Sequence, residues 1–138
     1  MKRALRSVLL LTALAGTLAV AGCGGSDAEA EDESATPAQA AQEIDQIETL
    51  LDDALAQYRD GDAEAAEETV GDAYLEHFEK VEGPLGDEDH EFMEELEHRI
   101  STEIRDEMKD DAPVAEVEQL IGQTKQDLAK AQAMLQGS

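Results

Sequence analysis

The chain has 138 residues, of which 34 are acidic and 10 basic, and its net charge is −24. A surface this negative repels nucleic acid and anionic lipid headgroups, which makes both poor partners. Its one cysteine excludes an intrachain disulfide.

The chain opens with Lys2, Arg3 and Arg6 and no acid, and an apolar run from Val8 to Ala21 follows. A basic start, a short apolar stretch and small residues at its end are the parts of a secretory signal. The run is short for a membrane span, which needs roughly 20 apolar residues. It ends in Val20-Ala21-Gly22-Cys23, which resembles the lipobox of bacterial lipoproteins. That resemblance implies cleavage after residue 22, a diacylglycerol on the Cys23 sulfur and an acylated new N-terminus, two chains being enough for stable anchoring. The expected location is extracytoplasmic, on the cell membrane or on an outer membrane where the host has one. Loss of residues 1–22 removes the three basic residues named above. The mature chain then carries 34 acids against 7 bases, net −27.

Residues 24–36 read GGSDAEAEDESAT, without a large apolar side chain. Such a segment cannot bury enough surface to order itself, so residues 23–36 are expected to form a lipidated, acidic, disordered tether. The folded domain is expected over 37–138.

Four helical stretches follow. Thr36-Pro37 supplies an N-cap and a first-position proline. Behind it Ile44, Ile47, Leu51, Ala54 and Tyr58 recur at steps of three and four, one apolar stripe on a helix. Asp60-Gly61-Asp62 closes that helix and caps the next, whose stripe is Ala63, Ala66, Val70, Ala73, Tyr74, His77, Phe78 and Val81. Gly71 inside it costs roughly 1 kcal/mol relative to alanine, and a close neighbouring helix would explain its presence. Gly83-Pro84 is expected to end the second helix, with Leu85–Asp89 as a loop. The third helix is expected to bury Phe92, Met93, Leu96, Ile100, Ile104 and Met108. Asp111-Ala112-Pro113 restarts the chain into a fourth stripe of Val114, Val117, Ile121, Thr124, Leu128, Ala131 and Leu135. No stretch alternates with a period of two. Short turns between comparable helices predict an all-α fold, an up-down antiparallel four-helix bundle, with the rings of Tyr58, Tyr74, Phe78 and Phe92 in its core.

Tyr58-Arg59-Asp60-Gly61-Asp62, then Ala66 and Val70, then Asp72 to Gly83 (DAYLEHFEKVEG) resemble the extracytoplasmic helical domain of bacterial high-affinity iron permeases. The likeness covers about residues 44–136, and Glu79, Glu82 and Glu97 match that family's recurring acids. The permease's membrane helices and its Arg-Glu-x-x-Glu motifs are missing, so this chain cannot itself transport iron. The resemblance implies a detached outer domain that collects cations or docks to a permease or another envelope protein.

The chemistry-bearing residues point the same way, each with a plainer reading beside it. His90, Glu94 and His98 sit four apart and stack along one helix face. Imidazole with carboxylate suits zinc, iron or copper. His98 is nonetheless expected to point away from the apolar stripe, as an ordinary solvated face would. His77 lies on an apolar stripe, either as a buried or edge-lying histidine or as an inward ligand. Glu95-Leu96-Glu97-His98 is one Glu-x-x-His, where di-metal bundles use a pair. The candidate metal set is therefore His77, Glu79, Glu82, His90, Glu94 and Glu97, for iron or another divalent cation. No nucleophile beside a histidine and no phosphate-binding glycine loop is present, so a non-enzyme is expected. The competing expectation is a metal-independent envelope module whose acidity belongs to a salt-adapted host, because the acids spread along the whole chain.

Overall fold

The structure is a computed structural model and describes residues 35–137. The expected signal segment, Cys23 and nearly all of the tether lie outside the described residues.

The described chain is all-helical, with no strand among the described residues. Helix α1 (Pro37–Arg59) starts where expected. The Thr36 hydroxyl accepts from the Gln39 N–H at 3.3 Å, while the Gln39 side chain accepts from the Thr36 N–H at 2.9 Å. This reciprocal box satisfies two otherwise orphaned donors. Every residue of the first expected stripe is buried. Gly61 turns the chain at φ +87, in the left-handed region where glycine costs least. Asp62 then caps α2 (Ala63–Asp72), accepting from the Ala65 N–H at 3.2 Å.

From α2 the helix passes through a π segment (Ala73–Phe78) into α3 (Glu79–His98), then a second π segment (Arg99–Glu103) and α4 (Ile104–Lys109). Here the expectation needs correcting. Gly83-Pro84 does not end a helix, and of the expected loop Leu85–Asp89 only Asp89 leaves the helical conformation. Pro84 lacks a donor and crowds the preceding turn, yet Pro84 and Leu85 are both buried, so packing overrides the local signal. The true break is Asp89 alone, at φ −154 and ψ 93. Its carboxylate accepts from the Phe92 N–H at 3.1 Å and so caps a fresh helical run. Asp89 thus divides α3 into a first and a second arm.

The helical chain before Asp89 and the helical chain after it run in opposite directions: Tyr74 of the first π segment meets Glu97 of the second arm, and Arg105 of α4 lies against Gly71 of α2. Helix α5 (Val114–Gly137) runs antiparallel to α1. Gln132 bonds the Ala41 carbonyl at 2.9 Å, Lys125 meets Asp52 at 2.6 Å, and the Tyr58 hydroxyl donates to the Ala112 carbonyl at 2.7 Å. The α5 stripe is buried as expected except for Val114, which is 39% exposed because it opens the helix at the rim. Thr124, the one fully buried polar side chain among the described residues, donates to the Leu120 carbonyl at 2.9 Å and is satisfied.

Gly71 does meet a neighbour, but only the end of a flexible side chain. A methyl group there would come no closer than 3.9 Å to the Arg105 guanidinium carbon. Gly122, inside α5, would meet nothing within 4 Å. Gly122→Ala should therefore raise stability by about 1 kcal/mol, read as a higher urea midpoint at unchanged slope. An unchanged or lower midpoint would contradict the open space around residue 122.

Candidate functional site

The π turns place the polar groups of most interest. A π turn inserts one residue into a helix and is frequent at functional positions. The first carries Tyr74, His77 and Phe78. Phe78 is fully buried, with its ring stacked on Tyr74 at a centroid separation of 6.2 Å. This leaves Tyr74 half-buried, its hydroxyl 3.4 Å from Glu97 Oε1 on the second arm. Glu82, on the first arm, faces the same hydroxyl. One of its carboxylate oxygens is buried without a hydrogen-bond partner.

Electrostatics follow from that geometry. Burial pushes the Glu82 carboxyl above the ordinary range, the Glu97 charge adds to this, and the Tyr74 hydroxyl partly offsets it. The Tyr74 phenol is pushed up to about 12, first by burial and then by the charges of Glu82 and Glu97. Two carboxyls from the two arms of α3 and a phenol from the first π segment thus form an oxygen-only cluster.

His77 belongs to a different place. Its Nδ1 lies 2.6 Å from Glu43 Oε2 on α1, and Lys80 Nζ reaches the other oxygen at 3.3 Å. The His77 and Glu43 side chains are 20% and 24% exposed, so His77 sits at the edge of its stripe. The His77 hydrogen bond holds the Glu43 carboxyl below the ordinary range, with Lys80 assisting.

The remaining candidates separate. His90 and Glu94 approach to 3.4 Å on a solvent-exposed face, and His98 is exposed, as expected. Glu79 is exposed and acts on Tyr74 and Glu82 only through its charge. The six candidate ligands thus fall into three places. Among the described residues no three His, Cys, Asp or Glu side chains come together as a group that could hold a metal ion. Glu43 and the polar role of Tyr74 were not singled out from the sequence. A usable signal for Glu43 was its position beside Ile44 at the margin of the α1 stripe.

The basic side chains show a second pattern. Arg59 pairs with Glu118 at 2.9 Å and Arg99 with Asp127 at 2.5 Å. Lys80 and Lys125 reach α1 as described, and Lys130 lies 3.9 Å above the centre of the Phe92 ring. Five cations therefore act between helices, while the outward faces carry mainly acid. An open groove of about 540 Å³ lies between the start of α1 and the end of α5, bordered by Thr36, Ala41, Asp45, Gln132 and Leu135. No helix among the described residues is long and apolar enough to cross a membrane.

Comparison with family models, with curated proteins and with solved structures finds no match to this chain.

Proposed function

We propose that the chain is a lipoprotein anchored outside the cytoplasm through Cys23. Residues 37–137 then form an up-down four-helix bundle whose second and third helices part at Asp89. The bundle works as a non-enzymatic accessory in iron or other cation uptake, by docking to a cationic surface of a permease or another envelope protein. One observation carries the docking reading: cations are drawn into helix–helix contacts, which leaves the outer faces acidic. Opposite charge on a partner speeds encounter and fixes orientation. The lipobox-like Val20-Ala21-Gly22-Cys23 and the permease-like stretch from Tyr58 to Gly83 support the anchoring and the uptake context.

The test has two parts. Cys23→Ser should move the protein from the membrane fraction to the soluble extracytoplasmic fraction and abolish incorporation of labelled fatty acid. Retention on the membrane without label would overturn the anchor. Calorimetric titration with iron, zinc, copper and calcium at high salt separates the modes of action. Heat that vanishes with salt fits a diffuse acidic surface that docks, whereas saturable heat at high salt would replace docking with capture at a defined site.

A further inference from the structure

We propose that the Phe92 ring, with the carboxylates of Asp89, Glu91 and Glu95 around it, is the anchor point for an arginine side chain of a partner protein. The anchor rests on the proposal of docking to a cationic surface and locates the contact that fixes it. Asp89 breaks α3 and caps the run that follows. Glu91 and Phe92 then precede Glu95 by four and three positions, so they share a helix face with it and the two acids lie beside the ring. Lys130 of α5 closes the remaining side, and these five residues border a hollow of about 200 Å³. That is room for one side chain, below the roughly 300 Å³ at which pockets for small-molecule ligands begin. The Lys130 ammonium lies 3.9 Å above the ring centre, and no ion pair of Lys130 occurs among the described residues.

Acid alone does not single this place out, because acids cover the whole chain. The ring does. The face of an aromatic ring attracts a cation, and Lys130 shows that a cation reaches it here. Glu91 and Glu95 are exposed, stand four apart and repel each other. A further cation beside them relieves a repulsion that Lys130 leaves in place. A guanidinium suits the hollow better than an ammonium does. It is planar, stacks on a ring, offers paired N–H donors to a carboxylate and gives up its water more readily. Lys130 is exposed and ends a flexible four-carbon stem, so it can leave the ring when the guanidinium arrives. Until then it covers the apolar face, and Phe92 is only 8% exposed.

The experiment titrates the full-length chain into two fluorescent peptides of equal length and charge, one alternating arginine with serine and the other lysine with serine. Salt is held at about 0.15 M, where screening over about 8 Å damps diffuse attraction. The wild type should bind the arginine peptide about threefold or more tighter than the lysine peptide. Phe92→Leu, which keeps an apolar side chain without the ring, should lower that ratio by about half or more. Lys130→Gln uncovers the ring and should tighten the arginine peptide by about threefold. Lys109→Gln, at an exposed lysine that does not border the hollow, removes the same charge and should tighten it less. Equal affinity of the wild type for both peptides would overturn the anchor, as would an arginine preference unchanged in Phe92→Leu. Should Phe92→Leu not fold, the two lysine variants decide, and equal effects from them overturn the anchor. All these results leave docking itself standing. Failure of both peptides to bind even at low salt would overturn the anchor and docking together.

Discussion

Replacing Phe78 by alanine should lower stability by about 3–5 kcal/mol, the usual cost of removing a buried aromatic ring. Phe78 is fully enclosed and is among the largest side chains in the core. It lies on a π segment that packs against α1, α2 and α3, so no single helix can slide inward to fill the space. The loss is a large share of the total stability of a domain this size. It should appear as a lower urea midpoint. Phe78→Leu keeps most of the volume and should cost less than half as much. If the two substitutions cost the same, the ring is not packed as described.

Stability should rise with sodium chloride from 10 mM to 1 M. The screening length falls from about 30 Å to about 3 Å over that range. Like charges stand four apart at Glu48 and Asp52, Glu64 and Glu68, Glu68 and Asp72, and Glu91 and Glu95. Each such pair costs about 0.2–0.5 kcal/mol when unscreened, so these alone account for roughly 1–2 kcal/mol. For a domain near 100 residues that is a rise of at least ~4–8 °C in Tm. The interhelical ion pairs at Arg59, Lys80, Arg99 and Lys125 weaken with salt and oppose the gain. Arg99 and Lys125 are only about a quarter exposed, but four such pairs stand against a net charge of −24, so repulsion wins. A Tm that falls with salt would show that the ion pairs dominate. A rise produced by calcium at micromolar concentration, and not by sodium, would point to a defined metal site.

How far the sequence could be read depended on the range of the signal. Stripes repeating over about four or five turns, as at Ile44 to Tyr58 and Val117 to Leu135, were legible because one periodic face must be buried. The Thr36-Pro37 start and the Asp60-Gly61-Asp62 turn were legible because they satisfy their own backbone locally. Gly83-Pro84 misled, since local propensity says stop while the burial of Pro84 and Leu85 favours continuing. The first π segment was hidden, because Tyr74 and His77 fill the five-residue step between the buried Ala73 and Phe78 and let the stripe read as threes and fours. The pairings Glu43 with His77 and Tyr74 with Glu97 span 34 and 23 positions. Only the antiparallel arrangement brings such residues together, and no spacing rule encodes it. The sequence therefore marked Glu82 and Glu97 as acids of interest but not the hydroxyl that joins them.

Thr36 and Gln136 border one groove, while Gly61 and Ala112 lie together at the opposite end of α1 and α5. The 23 residues of α1 make this domain a ruler of about 35 Å, at 1.5 Å per residue. A fluorophore at the exposed Asp60 and another at the exposed Gln136 would mark its two ends. Energy transfer between them would then report whether a bound partner leaves that length unchanged.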